Sequence, residues 1–471
     1  MREIPRLPRS GSAAPLEPVG PPGTRCGLYG WRMWPRYLTV QCTWPGLRSW
    51  RAPRRRVCRH VPLIRIGAPA RRMSRSNRTL ASLANPSLPA KLAYLADPRH
   101  YTPRPRSVGC IETHYAWVFL VGSYALKLKK PMRQTSMNYR TLADRERACR
   151  TELQLNRRLA PSVYLGVAAL KQTRTGGLSL RSGPRVVDWL VRMRRLAPGR
   201  SLEQTLLRRG VTEHDWARLA ATLATFFAGA ERRPMGEAAY LARLRQQTAR
   251  TARELCAADL GLDARRVAAL AKVQRQFLAA HGALLHGRAA QLRDGHGDLR
   301  PEHVFLDSHA SRLCVIDCLE FDADLRRLDP VEEIAFLALE CARLAGARSA
   351  SRLIAQYRRS SADRAPAALI DFYMSRRAAV RAQISAWHLR DAAFALEQPA
   401  WRARAESYLA DALRLGRRAL SRADRSAAGA RGAARRVTPR GAPATARAAA
   451  PPQRRSPSAA RPGRAAARPT A

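Results

Sequence analysis

The chain has 471 residues and 46% hydrophobic content, enough for a sizeable core and for two or three domains on length alone. Its formal net charge is +50, yet 79 of its 85 basic residues are Arg and six are Lys, amid abundant Ala, Gly and Pro; that reads as coding bias more than as a nucleic-acid surface. No apolar run reaches eighteen residues, so no membrane-spanning helix is expected, and nine cysteines without Cys-x-x-Cys pairs or zinc spacing point to free thiols in a reducing cytoplasm.

The two ends differ from the middle. Residues 1–72 hold fifteen Arg, two acids and eleven Pro, and read as a disordered arm or an over-extended start, with Met73 as the natural beginning. Residues 421–471 read as a disordered tail, since Ala, Arg, Pro and Gly fill 38 of the last 45 positions. Both basic ends are expected to bind polyanions nonspecifically at most, because the tail lacks the interleaved aromatics of a base-stacking platform.

Between them, residues 73–104 are expected to be a helical lead-in. From about residue 105 short β-rich runs follow, at 109–113, 117–121 and 124–129, with Gly122-Ser123 as a hairpin turn. A helix is expected over 142–159, then strands over 163–170, 178–180 and 186–193. After Pro198-Gly199 the spacing turns helical, over 216–227, 267–285, 331–344, 366–387 and 401–415, interrupted by short strands at 304–306 and 313–316. The fold class is therefore α+β and bilobal: a small antiparallel β-rich N-lobe at 105–197, joined near Met193–Gly199 to a larger helical C-lobe at 198–420. There is no internal repeat and no G-x-x-x-x-G-K-[ST] loop.

The most telling stretch is His296-Gly297-Asp298-Leu299-Arg300-Pro301-Glu302-His303, followed by an apolar strand ending in Ile316-Asp317. A loop carrying His-x-Asp and a strand delivering a second carboxylate about twenty residues later is how kinase-like folds build a phosphoryl-transfer site. Upstream, alternation along 124–129 puts Ala125, Lys127 and Lys129 on one face, and three of the six lysines are Lys127, Lys129 and Lys130 despite the drift toward Arg. Glu152 falls on the inward stripe of the expected helix, where a carboxylate is costly unless paired, which favours an ion pair with Lys127 over the competitor Glu146. Lys129 remains a possible substitute for Lys127.

These motifs resemble the aminoglycoside phosphotransferase-like family of small-molecule kinases, whose signature is His-Gly-Asp-Leu with an Asn five residues after the Asp. The resemblance implies a protein-kinase-like fold and an ATP-dependent (or GTP-dependent) phosphotransferase that moves the γ-phosphoryl group to a hydroxyl of a small molecule. It implies Asp298 as the residue orienting the acceptor, with His296 holding the loop. Lys127 would bind the α- and β-phosphates, fixed by Glu152, with Ala125 and Met193 against the nucleotide. Thr113, in the turn where relatives carry glycines, is either a phosphate contact or an ordinary turn residue. Asp317 and His303 would hold Mg²⁺, or Mn²⁺, because His303 stands where the family has Asn and an imidazole suits manganese better. The acidic concentration of Glu320, Asp322, Asp324, Asp329, Glu332 and Glu333 could receive a cationic substrate or more metal; the resemblance gives Asp329 the role of capping a helix and bracing the catalytic loop. Tyr373, Arg376 and Trp387 are candidates for substrate choice. The alternative is a catalytically silent kinase-like scaffold that binds nucleotide, or RNA through its basic tails.

Overall fold

The computed structural model describes residues 84–134, 137–306 and 313–437. The expectations for residues 1–72 and Met73, and for the tail beyond Val437, lie outside the described residues. Of the helical lead-in, α1 (Leu88–Ala96) is present, its first turn capped by the Ser87 hydroxyl.

The three expected strands form as β1 (Val108–Glu112), β2 (Ala116–Val121) and β3 (Tyr124–Lys129), an antiparallel meander whose second turn uses Gly122 at φ 54°. A small ladder of β4 (Arg133–Gln134) and β5 (Met137–Asn138) leads to α2 (Leu142–Arg157), which starts at a reciprocal capping box of Thr141 and Asp144. Then β6 (Tyr164–Gln172), β7 (Leu178–Ser179) and β8 (Arg185–Arg194) complete a six-stranded sheet in the order β1-β2-β3-β8-β6-β7. The apolar centre of β8 is explained by its place between β3 and β6.

Alternation in β3 divides two environments. Leu126 and Leu128 join Phe119, Leu170, Leu190 and Leu95 of α1 in one cluster, so Lys127 and Lys129 point to the opposite face, over which α2 lies. Each fully buried Leu of that cluster contributes roughly 1.5–3 kcal/mol, which fixes the register and with it the lysines' direction.

The helical lobe contains α3 (Leu202–Leu207), α4 (Glu213–Gly229), α5 (Glu237–Leu255) and α6 (Ala264–Ala280). Short strands β9 (Arg293–Asp294), β10 (Val304–Phe305) and β11 (Cys314–Val315), the turn of helix α7 (Ala323–Arg326) and β12 (Arg327–Leu328) surround the His-x-Asp loop. They are followed by α8 (Pro330–Ala345), α9 (Ala347–Ser360), α10 (Ala367–Trp387) and α11 (Gln398–Val437). One apolar core runs through this lobe, from Leu202 to Ala423. The bilobal α+β plan is thus the one the sequence predicts.

Three differences have physical causes. Helices α5 and α9 escape the periodicity because polar residues occupy part of their buried stripes: Thr248 and Thr251 in α5, Ser349 in α9. The helix expected to end at residue 415 runs on to Val437, so the disorder expected from 421 is corrected for those residues; Ala and Arg are strong helix formers, and no proline intervenes before Pro439. Among the described residues, those up to Ala423 belong to one compact unit and Asp424–Val437 fall outside it. Among the described residues no helix is long and apolar enough to cross a membrane.

Candidate active site

Glu152, on the inward stripe of α2, is wholly buried and grips both lysines of β3: Lys127 Nζ donates to its Oε1 at 2.8 Å and Lys129 Nζ to its Oε2 at 2.6 Å. Lys127 also donates to Asp317 Oδ1 at 3.1 Å, and Lys129 to Glu320 Oε1 at 2.5 Å. Tyr139 adds a 2.8 Å hydrogen bond to Glu320. Lys129 is therefore a second member of the cluster. Burial opposes the Lys127 charge, but the Asp317 and Glu152 carboxylates outweigh it and hold the ammonium well above its ordinary pKa. Asp317 is correspondingly held far below the usual carboxylate range: burial pushes it up, and Lys127 and then His303 more than reverse that.

The His-x-Asp loop is held from beneath. Glu333 of α8 accepts the backbone N–H of His296 at 2.7 Å and of Gly297 at 3.1 Å. Gly295 is required by this embrace, because a Cβ there would sit 1.8 Å from Glu333 Oε1, and Gly297 turns the chain at φ 87°. His296 lies within 3.0 Å of the Ile316 carbonyl through Nε2, which must therefore donate, leaving Nδ1 to accept from Asp298 N–H at 3.3 Å. Burial first, and the neighbouring His303 second, lower its pKa to about 4, so it ties the two loops as a neutral ring.

Asp298 Oδ1 lies 3.1 Å from Arg300 Nε. Burial raises the Asp298 pKa, but Arg300, His303 and Arg381 carry it below the ordinary value, so it is an ionised acceptor of hydrogen bonds. Asp317 follows β11 in the left-handed region at φ 64°, a strained conformation for a non-glycine residue. Its N–H donates to the Tyr164 hydroxyl at 3.3 Å, and the next N–H, of Cys318, donates to Asn156 Oδ1 at 2.9 Å. These bonds from β6 and the foot of α2 aim the carboxylate at Lys127.

The fit to a divalent cation can be tested on His303. Its Nδ1 lies 2.8 Å from the Asp298 carbonyl and must donate to it, which leaves Nε2 as the lone-pair atom, 3.6 Å from Asp317 Oδ2. Two ligands of one octahedral ion at about 2.1 Å sit about 3 Å apart, so a closure of roughly half an ångström would let both bind. A second nitrogen bonded to a carbonyl is how metal-binding imidazoles are oriented. Arg300 Nη2, 3.3 Å from the same Nε2, competes for that lone pair. Among the described residues no group of three or more His, Cys, Asp and Glu side chains could hold a metal ion.

Lys127, Glu152, Asp298, His303 and Asp317 are thus brought together. Ala125 and Met193 are cross-strand partners on β3 and β8 at the junction of the lobes. Thr113 is not delivered: its hydroxyl is spent in its own turn, donating to Ala116 O at 2.9 Å and accepting Ala116 N–H at 3.0 Å. Glu146 pairs with Arg150 on the surface. Asp329 caps α8 through Val331 N–H as expected, but loop bracing belongs to Glu333, one helical turn on; Asp329 instead binds Arg288 and the Tyr373 hydroxyl. Tyr373 and Arg376, proposed to select substrate, are tied to Asp329 and Glu332 inside the lobe. The roles of Arg300, Glu333, Tyr164 and Asn156 were not anticipated. Arg300, two residues after Asp298, and Glu333, within the acidic concentration, carried a positional signal.

No family model matches the chain. An uncharacterised protein of Mycobacterium tuberculosis is 34% identical over 279 residues, covering 58% of this chain and 53% of the relative, so the chain spans about half the length of the curated relatives it matches. Among solved structures, a choline/ethanolamine kinase family protein from Mesorhizobium loti aligns at TM-score 0.41 and 15% identity, over 67% of this chain and 92% of its own. A thermostable mutant of an aminoglycoside phosphotransferase aligns at TM-score 0.39 and 13% identity, over 68% of this chain and 98% of its own.

Proposed function

We propose that the chain is an ATP-dependent phosphotransferase that moves the γ-phosphoryl group to a hydroxyl of a small molecule. The observation that carries this reading is a single lysine, Lys127, held between the helix carboxylate Glu152 at 2.8 Å and the loop carboxylate Asp317 at 3.1 Å, with His303 bonded to the backbone carbonyl of Asp298 at 2.8 Å and lying 3.6 Å from Asp317. That constellation does what phosphoryl transfer asks of a protein, which is positioning and charge stabilisation.

Lys127, its direction fixed by Glu152, presents an ammonium to the α- and β-phosphates, while Ala125 and Met193 flank the base at the lobe junction. Asp298 accepts a hydrogen bond from the acceptor hydroxyl and aims its oxygen at the γ-phosphorus. A carboxyl held below its ordinary pKa is a weak base, so Asp298 orients first and takes the proton only as the new P–O bond forms. Asp317 and His303 would hold Mg²⁺ or Mn²⁺, which when bound neutralises charge on the β- and γ-phosphates. His296 keeps the loop in register and touches no reactant.

Incubating the protein with γ-labelled ATP and a fractionated metabolite extract tests this. Label should move into a small molecule with the wild type and not with Asp298→Asn. Label that appears only in inorganic phosphate, equally with both proteins, overturns the reading.

A further inference from the structure

Four arginines of the helical lobe, Arg300, Arg376, Arg377 and Arg381, pair with acids there, and Arg300 and Arg381 act on Asp298. Arg300 and Arg381 are each 3% exposed and Arg376 7%, and Arg377 lies beside them on α10. Their acids are close: Asp298 at 3.1 Å and Glu302 at 2.8 Å from Arg300, Glu332 at 3.0 Å from both Arg376 and Arg377, and Glu340 at 3.4 Å from Arg381. Glu340 also accepts the Tyr408 hydroxyl of α11.

The ion pairs of Arg300 and Arg381 are out of line for hydrogen bonding. Nε and Nη1 of Arg300, and Nε and Nη2 of Arg381, are buried without an aligned acceptor, as are Nε of Arg376 and Nε and Nη2 of Arg377. Native proteins leave few such groups, and each calls for an explanation. The acids of this wall tell the complementary story, since Asp298, Glu302, Glu332 and Glu340 each have a guanidinium within 3.4 Å. The fifth, Glu203 of α3, has its pKa raised by burial and then by Glu302. Four of the five carboxylates here already face a guanidinium, whereas oxygens of an anion would give aligned acceptors to donors that now lack them.

We propose that the acceptor bound beside Asp298 is an anionic hydroxyl compound, whose carboxylate or phosphate is received by Arg381 together with Arg300. This rests on the phosphotransferase reading for the meaning of the word acceptor. The same donors could instead meet the terminal phosphate of the nucleotide, and the test separates the two.

The full chain, with Mg²⁺ and a non-hydrolysable ATP analogue, is titrated calorimetrically with glycerol 3-phosphate, glycerate and choline, each of which carries a hydroxyl. At least one anion should bind at least tenfold more tightly than choline. Arg381→Met should weaken that binding about 10- to 100-fold, the range for lost charge-assisted hydrogen bonds, and Arg381→Lys should weaken it less. The wild-type comparison stands even where Arg381→Met fails to fold. Choline binding as tightly as the anions, no saturable binding of either anion, or anion binding abolished by the analogue would each overturn the proposal. Analogue binding is read separately: if it is absent while the anions bind, the phosphotransferase reading fails and the anion site stands.

Discussion

Replacing Glu152 by Gln removes the charge on which two buried ammoniums converge, Lys127 at 2.8 Å and Lys129 at 2.6 Å. Breaking a buried pair typically costs about 3–5 kcal/mol, because the surviving charge is left without compensation. Each ammonium here keeps a second carboxylate, Asp317 for Lys127 and Glu320 for Lys129. The expected loss therefore falls below that range, at about 2–3 kcal/mol. Adding Lys129→Met removes one of the stranded charges and should recover about 1–2 kcal/mol, a non-additivity that only contacting residues give. Glu146→Gln, which severs only the surface pair with Arg150, should stay within about 0.5 kcal/mol. Urea titrations of the wild type, the three single variants and the double variant measure all of these. A Glu152→Gln loss no larger than that of Glu146→Gln, or strict additivity with Lys129→Met, would refute the reasoning.

His303→Asn exchanges an imidazole for an amide oxygen beside Asp317, so the metal that best supports nucleotide binding should shift from Mn²⁺ toward Mg²⁺; coinciding titrations with both ions would remove His303 from the ligand set. His296, held at a pKa of about 4 against the ordinary 6.5, refuses a proton that the unfolded chain accepts. Its contribution to stability is intact above about pH 6.5 and falls by about 3 kcal/mol on acidification to about pH 4. Glu333, pushed up to about 7 by burial, runs the opposite way, its contribution growing as pH falls from about 7 toward 4.5. The difference between wild type and His296→Gln isolates the histidine, and parallel pH profiles would contradict its buried neutral state.

Much of this architecture was legible because apolar alternation and paired charges leave marks in sequence. The β3 strand was readable from Leu126 and Leu128 alternating with the lysines, and Glu152 from the improbability of an unpaired carboxylate on an inward stripe. Arg300 and Arg381 were obscured for the opposite reason: in a chain with 79 Arg, no single Arg stands out, and only burial distinguishes these from their surface counterparts. The choice between Asp329 and Glu333 as the brace of the His-x-Asp loop needed geometry, since Asp329-Pro330-Val331-Glu332-Glu333 offers several carboxylates within one helical turn and the packing of α8 selects among them. Thr113 could not be assigned from sequence either, because a hydroxyl in a turn has the same spelling whether it faces a phosphate or its own backbone.

The central claim is that Asp298 and Asp317 divide the work, one orienting the acceptor and the other holding the metal and nucleotide. Phosphoryl transfer into the labelled metabolite fraction and Mg²⁺-dependent nucleotide binding, both measured on Asp298→Asn and Asp317→Asn, test it most directly. Asp298→Asn should keep nucleotide affinity and lose roughly 10²- to 10⁴-fold in transfer, while Asp317→Asn should lose the metal-dependent part of nucleotide binding. Near-native transfer by both variants would contradict the account.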